Sequence, residues 1–155
     1  MTVRELGHLV LYVRDVRRSA AFYRDVLGWR QVVPEAGTEP VGAAAFSSGR
    51  THHELLLIEV GEDATPIPAG RRIGMYHFGL KVGDSDDDLR AALASVQAAG
   101  ATVVGASDHT VTHSLYILDP DGNEVELYVD VPGVDWESDP SLIAAPIRAL
   151  SLCPG

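Results

Sequence analysis

Lysine and cysteine are almost missing from this chain: Lys81 and Cys153 each stand alone among 155 residues. A single thiol closes no internal disulfide, so a reducing cytoplasm is the expected setting. No apolar run approaches the length that spans a bilayer, and the opening MTVRELGH has no signal-peptide pattern, so no membrane partner is expected. Positive charge is scarce throughout. The formal net charge is −10, and the pairs Arg17-Arg18 and Arg71-Arg72 are too short to form a basic patch. A nucleic-acid backbone is therefore excluded as the expected partner. What the chain does have is 46% hydrophobic residues, enough for one domain core, and six histidines.

The segment around which the rest is organised is TVTHSLYILDPDGNEVELY, residues 110–128. Residues 111–118 and 124–128 are rich in β-branched, aromatic and aliphatic side chains and read as paired strands. Asp119-Pro120-Asp121-Gly122-Asn123 supplies the turn, Pro presetting φ and Gly accepting a positive one. In the second strand Glu126 sits among Val125, Leu127 and Tyr128. A carboxylate on so apolar a strand needs a cation or a metal as partner, unless it faces water from a sheet edge.

The remaining pattern is a duplication. A strand over 6–13 with His8 near its start leads to a helix over 16–27, capped by Asp15 and ended by Gly28. Strands follow at 29–34, 41–47 and 53–60, with a loop at 35–42. After a Pro- and Gly-bearing linker, 61–74, the order recurs. A strand over 75–82 carries His77, a helix capped by Asp84 or Ser85 runs to Ala99, a strand covers 101–106, and the hairpin closes the series. Asp86, Asp87 and Asp88 load the first turn of that helix, which suits its dipole. His8 to Asp15 and His77 to Asp84 are both seven positions; Gly28 to Glu54 and Gly100 to Glu126 are both 26. The expected fold is α+β, with two tandem βαβββ modules at about 5–60 and 75–130, closing as an open eight-stranded barrel around a cleft, and a tail over 131–155. All 155 residues are expected to form one domain.

Two histidines and one carboxylate converging in a cleft make a 2-His-1-carboxylate site, suited to Fe(II) and open on one face. His8, His77 and Glu126 are the candidates. A lone histidine near a strand start is more often an ordinary polar residue; the equivalence of His8 and His77 in the repeat raises the metal reading above that.

The pieces GHLVLYVRDVRRSAAFYRDVLGW and SLYILDPDGNEVELYVD resemble the vicinal oxygen chelate superfamily, which includes glyoxalase I, type I extradiol dioxygenases and bleomycin-resistance proteins, and the resemblance covers about residues 5–130. Three further features resemble the catechol 2,3-dioxygenase-like branch: Arg50-Thr51-His52-His53-Glu54-Leu55, the run from Asp108 to Tyr116, and a tail containing Asp135-Trp136-Glu137. The resemblance implies Fe(II)-dependent extradiol cleavage of a small aromatic diol with O₂. It implies His53 as a proton acceptor beside the metal, and His109 and Tyr116 as hydrogen-bonding partners of substrate, with His113 the alternative to His109. It also implies a homodimer. A glyoxalase I-like lyase or isomerase, using Glu54 as a fourth ligand and Mn, Ni or Zn, is the second reading, and a metal-free ligand-sequestering module the third. Because neighbouring strand residues point to opposite faces, His53 and Glu54 are not both expected to face the metal.

Overall fold

The structure is a computed structural model, and it describes residues 1–35 and 37–152. Cys153, read above for its redox setting, lies outside the described residues. The chain divides into two compact units, Met1–Ile67 and Pro68–Gly155.

The first unit is a four-stranded mixed sheet with one helical segment. In chain order it contains β1 (Leu9–Val13), α1 (Val16–Ala21), a π-helical turn (Phe22–Val26), β2 (Gln31–Val33), β3 (Ala43–Phe46) and β4 (Leu55–Glu59). The sheet order is β1-β4-β3-β2, with β1 and β4 parallel. Asp15 caps α1, its carboxylate accepting from the N–H groups of Arg17 and Arg18 at 2.8 and 3.1 Å. The helix expected over 16–27 thus forms, but its last turn is wide. That widening buries both Phe22 and Tyr23, adjacent residues that a regular helix would point apart. Tyr23 meets Phe46, and Phe46 meets Trp29, with ring centroids 6.0 and 6.2 Å apart. Leu11, Val13, Leu55 and Leu57 complete this core.

The second unit contains β5 (His77–Lys81), α2 (Asp86–Ala98), β6 (Val103–Asp108), β7 (Thr112–Leu118), β8 (Glu124–Asp130), a 3₁₀ turn (Pro140–Ala144) and β9 (Arg148–Ala149). Its sheet order is β5-β8-β7-β6-β9. Each unit therefore has the βαβββ order, and the second adds one strand from the tail. Ser85 rather than Asp84 caps α2: its hydroxyl accepts from Asp88 N–H while the Asp88 carboxylate accepts from Ser85 N–H, a reciprocal capping box. Leu115, Ile117, Val125, Leu127 and Val129 alternate along β7 and β8 and are buried, as are Leu89 and Val96 of α2. The residues between them, Tyr116, Glu124, Glu126 and Tyr128, lie on the other face, because the side-chain period of a strand is two. The tail folds back, and β9 pairs with β6 through Ser107↔Ala149 and Asp108↔Arg148.

Candidate metal and acid–base site

The second unit gathers four of the residues singled out above. Strands β5 and β8 run parallel with His77 opposite Glu124 and Gly79 opposite Glu126, which puts His77, Glu124 and Glu126 on one face. His77 Nε2 lies 3.2 Å from Glu126 Oε2, and its Nδ1 lies 3.5 Å from Glu124 Oε1. Nδ1 is buried and makes no hydrogen bond, since 3.5 Å to Glu124 is only ion-pair range. Across the β7–β8 ladder Tyr116 faces Glu126. The Tyr116 hydroxyl donates to Glu126 Oε1 at 3.2 Å, and His109 Nε2 lies 2.6 Å from the same hydroxyl. A phenol has one proton, so with that proton directed at Glu126 the imidazole Nε2–H donates to the phenol oxygen. Burial pushes the Tyr116 phenol up to about 12, and the Glu126 carboxylate adds to that shift. It is a hydrogen-bond donor across the physiological range.

His109 owes its place to a tight turn between β6 and β7. Thr110 N–H donates to the Asp108 carboxylate at 2.7 Å, Val111 N–H to His109 O at 2.8 Å and His109 N–H to Thr112 O at 2.9 Å. Thr110 takes a left-handed φ of 71°, uncommon for a β-branched residue, so this turn is strained. His113, the alternative to His109, belongs to the opposite face. Its Nδ1 lies 2.6 Å from Asp86 on the first turn of α2, and it serves the packing of helix on sheet.

In the first unit three imidazoles cluster. The His8 and His53 ring centroids are 4.6 Å apart, those of His52 and His53 4.4 Å, and the two Nδ1 atoms of the latter pair are 2.6 Å apart. Partial burial, with His52 and His8 nearby, holds the His53 imidazole below its ordinary pKa, so its neutral, proton-accepting form is favoured. Glu54 behaves differently. Its carboxylate accepts from Ser48 N–H, from Ser48 Oγ at 2.9 Å and from Arg50 Nε at 2.9 Å. Burial would raise its pKa, but the hydrogen bonds from Ser48 and Arg50 prevail and lower it. His53 precedes β4, so strand alternation does not constrain it. The register also revises one part of the repeat. Leu9 pairs with Leu55, which sets His8 one step back beside Glu54, as His77 stands beside Glu124. Glu54 thus takes the place of Glu124 in the ladder, two residues short of the place held by Glu126.

Among the described residues no group of three or more His, Cys, Asp or Glu side chains is arranged to hold a metal ion. The donors of the second unit nonetheless suit one: an imidazole nitrogen and a carboxylate oxygen are side by side on neighbouring strands. The position opposite Glu126 is kept clear as well. A Cβ on Gly79 would come within 3.2 Å of the Tyr128 ring and 3.5 Å of Glu126 Oε2.

Residues 5–127 match the model of the Glyoxalase/Bleomycin resistance protein/Dioxygenase superfamily. The chain belongs to this superfamily. It is 34% identical over 134 residues to the catechol-2,3-dioxygenase of Bacillus subtilis (strain 168), a match that spans 86% of the chain and 44% of the relative. It is 32% identical over 130 residues to the lactoylglutathione lyase of Haemophilus influenzae, spanning 79% of the chain and 90% of that enzyme. Among solved structures, a lactoylglutathione lyase from Agrobacterium tumefaciens matches with a TM-score of 0.60 and 26% identity, over 83% of this chain and 96% of that one. The chain spans less than half the length of the catechol-2,3-dioxygenase it matches. Other relatives it matches include a biphenyl-2,3-diol 1,2-dioxygenase of Paraburkholderia xenovorans (strain LB400), at 36% identity over 126 residues. No helix among the described residues is long and apolar enough to cross a membrane.

Sequence reasoning passed over Glu124, Arg50 and Gly79. Glu124 had a visible signal, since it is two residues from Glu126 and so shares its face. Arg50 and Gly79 had none beyond lying near candidate residues, because their roles depend on which strands become neighbours.

Proposed function

We propose that this protein is an Fe(II)-dependent extradiol dioxygenase, cleaving a small catechol-type aromatic with O₂, with His8, His77 and Glu126 as metal ligands. The observation that carries it is the contact chain His109–Tyr116–Glu126–His77, which joins two metal-type donors to two proton-bearing side chains on one face of a single sheet. The withdrawal of Glu54 onto Ser48 and Arg50 favours the three-ligand set over one with four.

Bound Fe(II) supplies an ion that acidifies a coordinated diol hydroxyl and lets electrons pass between diol and O₂. The protein's own groups do the rest. His53, held neutral, accepts a diol proton. The Tyr116 hydroxyl and the His109 Nε2–H are donors for oxygen atoms that become negative during ring opening. Glu124 stands where it can orient His77 through Nδ1 once that nitrogen carries the proton. A cytoplasmic homodimer fits the same reading.

The test is anaerobic loading with Fe(II), followed by catechol and measured O₂. Stoichiometric O₂ uptake with a yellow ring-opened product is expected. His53→Phe should keep its iron and lose turnover by about 10²–10⁴-fold, the usual weight of one acid–base group. No O₂ uptake with any catechol would sink the dioxygenase reading, and unchanged turnover in His53→Phe would remove that residue's role. The likeness to lactoylglutathione lyases supports a second reading, a metal-dependent lyase or isomerase holding Ni, Zn or Mn with Glu54 as a fourth ligand. Activity that needs one of these metals and ignores O₂ would establish it.

A further inference from the structure

Four rings follow one another in the second unit. Tyr76 lies against His77 with ring centroids 4.7 Å apart, His77 meets Tyr116 edge-on at 5.5 Å, and Tyr116 meets His109 at 6.2 Å. Each spacing falls in the range of about 4.5–7 Å at which aromatic pairs attract. The first ring differs from the other three. Tyr76 is 70% exposed, while His77, Tyr116 and His109 are half-buried. It precedes β5, so strand alternation does not turn it away from His77. After burial and Glu126, the Tyr76 phenol adds to the raised pKa of Tyr116, so the two hydroxyl ends share one neighbourhood. Single exposed aromatics are ordinary on a protein surface. One that ends a row of acid–base side chains, with its ring bared beside them, is placed to meet whatever those side chains act on.

We propose that Tyr76 is the aromatic platform of the substrate site, stacking on the ring of the diol and so selecting aromatic over aliphatic ligands. The inference rests on the proposed substrate class, and every residue it uses belongs to the second unit. The physical reason is that a catechol has two unlike parts. Its oxygens need donors, which Tyr116 and His109 supply. Its ring is a flat apolar surface that gains by leaving water and by offset or edge-on contact with another ring. Tyr76 is the one ring of the row that is bare enough to give that contact. A tyrosine also holds such a surface at small entropic cost, having two side-chain torsions to fix. An aliphatic ligand presenting the same pair of oxygens would gain much less from it.

The test compares two ligands on the full chain loaded with Fe(II) and kept free of air: catechol, and acetohydroxamate, which offers two oxygens and no ring. Titration calorimetry reads both affinities. Tyr76→Ala should weaken catechol binding about 3–10-fold, the weight of one aromatic contact. The same variant should hold acetohydroxamate within about twofold of wild type. Tyr76→Phe should restore catechol binding to within about twofold, because the ring and not the hydroxyl carries the effect. In steady-state O₂ uptake the loss in Tyr76→Ala should fall on KM more than on kcat. Circular dichroism checks that each variant is folded. Unchanged catechol affinity in Tyr76→Ala would overturn the platform. So would equal weakening of both ligands, or a Phe variant as weak as the Ala variant. Wild type that binds catechol without consuming O₂ would sink the dioxygenase reading and leave the Tyr76 comparison to be decided by affinity alone. Wild type that binds no catechol would sink both.

Discussion

The Tyr116 hydroxyl is the most connected atom of the candidate site, touching His109 on one side and Glu126 on the other. Tyr116→Phe removes it and leaves the ring in place. Under the proposed reaction kcat should fall about 10–100-fold with a smaller change in KM, because a donor aimed at developing charge acts mainly in the transition state. A stability signature should accompany it. The folded phenol has its pKa raised to about 12, from about 10 when unfolded. A raised pKa gives stability that is complete below the unfolded value and is lost as pH rises toward the folded one. Between about pH 10 and 12 wild type should therefore lose stability more steeply than Tyr116→Phe. Urea denaturation across that range measures the difference, and parallel curves would show that Tyr116 is not the group responsible. Residues of this kind were only partly legible. Glu126 was marked by being charged on an apolar strand, and Tyr116 by resemblance. That His109 rather than His113 stands beside Tyr116 needed the structure, because it turns on the strained turn at Thr110, whose geometry no spacing encodes.

Elements carry the site through the turn that joins β7 to β8. Asp119 is 5% exposed, and its carboxylate accepts from Asp121 N–H at 3.0 Å, Asn123 N–H at 2.8 Å and Asn123 Nδ2 at 2.9 Å. Gly122 supplies the positive φ, 87°, that lets the chain reverse. Asp119→Ala would strand those donors and should cost about 2–3 kcal/mol. The urea midpoint should drop with little change in slope. A loss below half a kcal/mol would mean that water replaces the carboxylate freely. This hairpin could be read from Asp-Pro-Asp-Gly-Asn between two apolar runs because turn chemistry is local. The β1 strand was marked by its alternation, and β5 by recurrence of the same order. The π-helical ending of α1 was not, since it answers to the packing of Phe22 and Tyr23 in the finished core. Nor was the two-residue offset between Glu54 and Glu126, because counting along the chain is blind to ladder register.

At the scale of the whole molecule, two βαβββ units were expected from the duplication and two are present, with sheets of four and five strands. The fifth strand of the second sheet was invisible beforehand. Arg148–Ala149 is too short to show a period, and its pairing with β6 is specified from the far end of the unit. The tail also buries Leu152 and brings Arg148 within 3.7 Å of Asp108, which braces the turn that holds His109. Ending the chain after Pro146 should lower stability by about 2–3 kcal/mol through lost apolar burial and ladder bonds. It should also bare the N–H and C=O groups of β6, so self-association should rise in light scattering. A truncated chain as stable and as monodisperse as the full one would show that the tail braces nothing.

The pairing of Gly79 with Glu126 has one last implication. The imidazole and carboxylate meet because two distant strands run alongside each other in a single phase. Loop and helix lengths between them can drift without harm. One residue gained or lost within β8 cannot be absorbed: Val125 or Leu127 would swing round to meet His77, and the acid would be driven in among the aliphatic side chains beneath α2. Such an indel would part the imidazole from the carboxylate and disrupt the core together.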